Sequence, residues 1–168
     1  MIHLYCGESK GKTTAAMGLA LRAAGHGVRV VVAQFLKAEG SGERKALSLL
    51  PTVTLLPLPQ SMKFTFRMTE AEKQQEAGRQ TALLEHALTA GAQAQLLVLD
   101  ELCAALTAGM VPLTPVLDFL DAHPDTEVVI TGRNPPQLLL DRADYITEMV
   151  KVRHPFDHGL SARQGVEW

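Results

Sequence analysis

The stretch Gly7-Glu8-Ser9-Lys10-Gly11-Lys12-Thr13-Thr14 gathers two glycines, two lysines and three hydroxyls into eight residues. That mixture suits a phosphate. Glycines let backbone N–H groups curl inward, a lysine supplies a mobile charge, and a hydroxyl can reach a metal ion. The stretch follows the apolar run Ile2–Cys6 and precedes the helix-prone run Ala15–Ala24. Strand, glycine loop and helix therefore come in the order that puts a helix N-terminus, with its positive potential, behind the cradle. Lys12 is placed to reach terminal phosphates, and Thr13 to set its hydroxyl on Mg²⁺. The spacing is one residue shorter than the usual G-x-x-x-x-G-K-[ST]: five positions before Gly11 stands Cys6, and the glycine is Gly7.

Further along, Leu96-Leu97-Val98-Leu99-Asp100-Glu101 is an apolar run ending in two acids. A carboxylate at such a strand end can hold Mg²⁺ directly or through water. Arg133 follows Thr131-Gly132 and either pairs bidentately with a phosphate or lies on the surface near a helix start; spacing does not separate the two. On the same grounds Arg22 and Lys37 read as surface cations. The six histidines share no metal-site spacing. Cys6 and Cys103 are far apart in the chain, and Cys6 reads as core filler at a strand end. Phe64 and Phe66, at i and i+2, would share one face of an extended segment. They serve either as core packing or as a flat apolar wall for a large planar ligand.

These residues need a scaffold, and the rest of the chain supplies its pattern. Lys12–Gly25 is helical, with Ala16, Leu19, Ala20 and Ala23 on one face and Gly25-His26-Gly27 closing it. Val28–Phe35 holds the β-branched run Val30-Val31-Val32 expected of a strand buried on both faces. A helix follows the flexible Glu39-Gly40-Ser41-Gly42 and runs through Leu50, and Val53–Leu58 is a short strand between Pro51 and Pro59. Thr69 with Glu72 makes a capping box for a helix reaching about Ala90, whose buried side is Leu83, Leu84, Ala87 and Leu88. After the strand at Leu96 come a helix opening at Thr114-Pro115, a strand Glu127–Thr131, a short helix Pro135–Arg142 and a strand Tyr145–Val150. Alternation of strands and helices predicts an α/β fold with a mostly parallel, doubly wound sheet and helices on both faces. Gly7–Lys12, Phe35–Lys37, Asp100-Glu101 and Gly132-Arg133-Asn134 all follow strands, so all should meet at the C-terminal edge where such sheets bind ligands.

Composition bounds the rest. The chain has 168 residues, 46% hydrophobic and 20% charged, with a net charge of −2 and no basic block, so nucleic acid gets no electrostatic support as a partner. No apolar run is long enough to span a bilayer. No leader is expected ahead of the first strand, and the expected location is the cytoplasm with reduced thiols. With no repeat or linker, residues 1–168 read as a single domain.

The chain resembles the P-loop type of corrinoid adenosyltransferase, the ATP:cob(I)alamin or cob(I)yrinic acid a,c-diamide adenosyltransferase family. The likeness runs through the short loop Gly7–Thr14, the run Arg-Ala-Ala-Gly-His-Gly at 22–27, and Val-Ala-Gln-Phe-Leu-Lys at 32–37. It continues through Phe64-Thr65-Phe66, Val98-Leu-Asp-Glu101, Thr131-Gly-Arg-Asn134 and the tail His-Pro-Phe-Asp-His-Gly at 154–159. The resemblance implies a P-loop NTPase-like (RecA-like) fold. It also implies transfer of the 5′-deoxyadenosyl group of ATP to the Co(I) centre of a corrinoid, with release of triphosphate, in adenosylcobalamin synthesis or salvage. ATP would lie reversed relative to ordinary P-loop proteins, its 5′ carbon facing the corrinoid.

By position, the resemblance assigns ATP contacts to Gly7, Glu8, Ser9, Lys10, Gly11, Lys12, Thr13, Thr14, Arg22, Arg133 and Asn134. Lys12 and Arg133 take the catalytic role, Thr13 and Glu101 hold Mg²⁺, and Phe64 with Phe66 face the corrinoid and exclude its lower axial ligand. A dry apolar wall there eases reduction to Co(I). No general base is needed, because the nucleophile carries no proton. The family also implies a homodimer and a reductant protein such as a flavodoxin or ferredoxin.

Three positions depart from relatives. Glu8-Ser9 stands where many carry Asn or Asp followed by Gly, and a carboxylate in a phosphate loop is unfavourable unless it points outward or helps hold metal. Phe66 replaces a Trp found in some. Some also have an N-terminal helix over the corrinoid, so a more open pocket is expected here. The competing readings are a small-molecule P-loop kinase or ATPase, which calls for a normal-length loop, and a corrinoid or nucleotide carrier without turnover.

Overall fold

The computed structural model describes residues 1–63 and 65–166. Six strands form one sheet: β1 (Ile2–Cys6), β2 (Val30–Gln34), β3 (Val53–Leu55), β4 (Leu96–Asp100), β5 (Glu127–Thr131) and β6 (Tyr145–Glu148). Their order is β3-β2-β4-β5-β1-β6, and every neighbouring pair is parallel. Among the described residues six α-helices accompany them: α1 (Lys12–Gly25), α2 (Gly42–Leu47), α3 (Glu70–Gly91), α4 (Leu102–Thr107), α5 (Thr114–Ala122) and α6 (Gln137–Leu140).

The two-residue alternation of the strands sorts the core onto two faces. Val30, Val32, Leu96, Val98 and Val129 meet Ala16, Met17 and Ala20 of α1 on one face. Val31, Ala33, Leu97, Leu99 and Ile130 meet Leu84 and Ala87 of α3, with α4 and α5 beside them, on the other. β2 and β4 are buried along their whole length, which is why they read as continuous apolar runs. The α/β architecture with helices on both faces is as expected. No described helix is long and apolar enough to cross a membrane.

Local differences have local causes. β3 stops at Leu55, although Leu56 N–H still donates to Val32 at 2.9 Å; Pro57 and Pro59 then lack the N–H a ladder needs. α2 ends at Leu47, not Leu50, and Ser48–Leu50 close it with turn bonds ahead of Pro51. α6 is a single turn, shorter than Pro135–Arg142, and β6 ends at Glu148 rather than Val150. α4 has no counterpart in the sequence reading. It starts directly after β4 with Glu101 in a left-handed conformation and no side-chain cap, so nothing in the sequence marks its start. The capping box at Thr69 and Glu72 is present in full.

Before α3, residues Thr65–Arg67 form one 3-10 turn in a stretch that reads as irregular from sequence. Phe64 lies outside the described residues, and so does the Phe66 side chain.

Candidate active site

Gly7 makes the shortened loop possible. Its φ is 98°, and a Cβ there would lie 2.6 Å from the carbonyl oxygen of Met149 and 2.8 Å from its nitrogen. The backbone just past β6 presses on the loop because Met149 N–H donates to Cys6 and Ser9 N–H donates to Met149, at 2.8 and 3.0 Å. Only a residue without a side chain fits between them. The loop is thus closed by the neighbouring strand instead of by an extra residue.

Inside it sits Lys12, the first residue of α1 and buried. Its ammonium donates to the carbonyls of Gly7 and Ser9, each at 2.7 Å. Burial lowers its pKa, the Glu101 carboxylate works against that, and Arg133 adds to it. A lysine held on two carbonyls is ready to exchange them for phosphate oxygens.

Asp100, the last residue of β4, is the inner charge of the site and has no exposed surface. One carboxylate oxygen accepts from the hydroxyls of Thr13 (2.9 Å) and Thr131 (2.8 Å). The other accepts from the Gln34 amide (3.0 Å) and the Lys37 ammonium (2.7 Å). Gln34, Asp100 and Thr131 are the final residues of three neighbouring strands, and Gln34 stands level with Asp100 in the parallel register. The Gln34 amide is oriented in turn, since the Arg44 guanidinium donates to its oxygen at 3.3 Å and also holds Glu39.

Because the Thr13 hydroxyl donates to Asp100, its oxygen lone pairs face away from that carboxylate. Glu101 lines the same cavity, with a left-handed φ of 60° and its N–H on Thr131. Burial, then the neighbouring Asp100 charge, raises its carboxyl pKa. Among the described residues no group of three or more His, Cys, Asp or Glu could hold a metal ion alone. The donor set fits Mg²⁺ nevertheless, since that ion is usually held by one or two carboxylates together with substrate phosphates.

The cavity measures about 280 Å³ and is lined by Glu8 through Thr14, Glu101, Arg133, His154 and Val166. Arg133 leads off from Gly132, where a Cβ would meet that of Cys103 in α4 at 2.7 Å, so β5 and α4 close tightly behind the site. The Arg133 guanidinium pairs with Glu8 at 3.2 Å, both side chains 60% exposed. Glu8 thus lines the cavity but is well exposed and paired with a cation, which makes a carboxylate tolerable in such a loop. Lys10 donates to the carbonyl of Val166 at 2.9 Å, which brings the tail against the loop.

Most of the residues singled out from sequence thus come together. Asn134 does not line the cavity; it is exposed, with a left-handed φ of 48°. Arg22 is exposed in the last turn of α1, ten residues beyond Lys12 and so about 15 Å along the helix axis. Burial raises both thiol pKa values, that of Cys103 to about 12, consistent with packing roles. Lys37, read as a surface cation, belongs to the innermost cluster. Gln34 and Thr131 were overlooked, although a polar residue closing an apolar parallel strand was the signal that could have found them.

A family model described as ATP:corrinoid adenosyltransferase BtuR/CobO/CobP matches residues 1–168. Corrinoid adenosyltransferase CobA of Salmonella typhimurium is 33% identical over all of this chain and 85% of its own length. A corrinoid adenosyltransferase of Pseudomonas aeruginosa is 35% identical over 98% of this chain and 82% of its own length. One of Escherichia coli K12 is 34% identical, covering 100% and 85%.

Proposed function

This chain belongs to the ATP:corrinoid adenosyltransferase family and is an adenosyltransferase acting on ATP and a corrinoid, and we propose how its residues divide that work. Residues 1–168 act as one P-loop domain. The loop Gly7–Thr14 cradles the triphosphate of an ATP whose 5′ carbon faces the corrinoid. The reduced cobalt, as substrate, attacks that carbon; the C–O bond to the triphosphate breaks as the Co–C bond forms, and the triphosphate leaves with the electron pair.

Catalysis is then alignment and stabilisation of the leaving charge. Lys12 trades two backbone carbonyls for phosphate oxygens, and Arg133 swings from Glu8 to the same group. Thr13 and Glu101 would hold Mg²⁺ together with the phosphates, where the ion would neutralise charge. Phe64 and Phe66 face the corrinoid. A protein electron donor such as a flavodoxin or ferredoxin, a homodimeric state and a cytoplasmic location complete the reading.

The observation that carries it is the full-length family match on a chain whose shortened loop, Glu101 and Arg133 line one cavity. Anaerobic incubation with ATP, Mg²⁺, a corrinoid and a strong reductant should give a photolabile Co–C product and triphosphate; ADP and phosphate would overturn it. Lys12→Ala should lower turnover by about 10²–10³-fold, as expected for a lost charge-stabilising donor. Loss of affinity alone would mark a carrier.

A further inference from the structure

Lys37 lies against the most deeply buried charge of the site. Its ammonium is 2.7 Å from Asp100 Oδ2 and 3.4 Å from Thr13 Oγ1. Asp100 is wholly buried, and an ionised carboxylate there requires a charged partner. Lys37 reaches it from outside, its own side chain 26% exposed. A second cavity, bordered by Lys37, Thr13, Thr14 and Glu43, gives that side chain room to move.

The position of Lys37 is built from behind. Leu36 has a left-handed φ of 51°, and its N–H donates to Gln80 Oε1 at 3.2 Å. Gln80 is only 2% exposed, and its amide nitrogen is fixed on Glu76 at 2.6 Å. On the other side of the turn, Phe35 N–H donates to the Asp100 carbonyl at 2.8 Å. A buried glutamine on α3 thus holds the turn that aims Lys37 inward, a device with no use for a surface lysine.

The same hydroxyl that Lys37 approaches is the one assigned to Mg²⁺. With its O–H donated to Asp100, Thr13 offers only its two lone pairs, and two cations cannot share that oxygen without repulsion. We propose that Lys37 is a positioning residue acting as a tethered cation of the metal subsite. It stands beside Asp100 and Thr13 while no divalent ion is bound, and it withdraws when the ion arrives with the phosphates of ATP. The site then resists divalent ions alone and accepts them with nucleotide. This rests on the reading of Thr13 and Glu101 as metal-holding residues.

The test is Mn²⁺ binding by EPR titration of the full chain, with and without ATP, in wild type, Lys37→Met and Lys37→Arg. Without nucleotide, wild type and Lys37→Arg should bind Mn²⁺ weakly, and Lys37→Met about tenfold more tightly, the effect of removing one neighbouring like charge. With ATP, wild type should bind Mn²⁺ tightly. If that ternary complex forms but Lys37→Met alone is no tighter than wild type, the role of Lys37 is overturned and the metal reading stands. If wild type takes up no Mn²⁺ even with ATP, both fall. Should Lys37→Met fail to fold, Lys37→Gln, which can still donate to Asp100, carries the same comparison.

Discussion

Asp100–Lys37 and Glu8–Arg133 are both ion pairs at the C-terminal edge of the sheet, yet Asp100 has no exposed surface while Glu8 and Arg133 each leave 60% of the side chain open. Asp100 receives four donors from three segments of chain, so its cationic partner can leave only as another cation takes its place. Glu8 and Arg133 meet in water, where an ion pair is worth about 0–1 kcal/mol and salt screens it. The inner pair defines the site, and the outer pair is a contact that a triphosphate can replace. Position in the fold, more than charge or distance, decides which is which.

Removing Asp100 should therefore have the largest effect. Asp100→Ala leaves Lys37, Gln34 and two hydroxyls unmatched and should destabilise the fold by about 3–5 kcal/mol in denaturant unfolding. A loss below about 1 kcal/mol, the level of a surface pair, would erase the distinction.

Glu8→Gln should leave stability within about 0.5 kcal/mol. By freeing Arg133 it should tighten ATP binding by up to roughly fivefold at low salt, with the gain shrinking as salt rises. Isothermal titration at two ionic strengths measures both. Weaker ATP binding by this variant would mean that Glu8 contributes to the loaded site directly.

The smallest effect belongs to Glu72, whose pairing lies wholly at the surface. Its carboxyl is held down to about 2, first by the Lys63 ammonium and then by the Thr69 N–H. A depressed carboxyl stabilises the fold above the ordinary glutamate range, and that contribution is lost as pH falls through about 2. The Tm difference between wild type and Glu72→Gln should be present above about pH 5 and narrow steadily toward pH 2. A difference constant with pH would assign the effect to helix capping geometry alone.

Much of this was legible in the sequence where local chemistry acts alone. β1, α1 and β5 have the bounds their apolar periodicity and glycine punctuation predict, and the Thr69–Glu72 box begins α3. α4 was not legible, because Leu102–Thr107 follows β4 after Glu101 alone, with no side-chain cap to mark its start. β3 was overextended because prolines mark a boundary without saying how many ladder bonds precede it. The phosphate loop and the acidic pair Asp100-Glu101 could be named from spacing, while Arg133 was assigned by the resemblance alone. Lys37 could not, since an isolated lysine after a strand looks the same whether it faces water or a carboxylate.

By itself, the sequence determined a parallel α/β sheet with a shortened phosphate loop at one edge, because glycine placement, helix capping and strand alternation act over a few residues. Tertiary structure alone decided what surrounds that loop. Gly7 must be glycine because Met149, 142 residues away, crosses it. Asp100 is held because the parallel register levels Gln34 with it, and the strand-end Thr131 and Lys37, poised on a turn fixed by Gln80, join them there. Such contacts are set by strand order and register across the sheet, which local propensities do not encode.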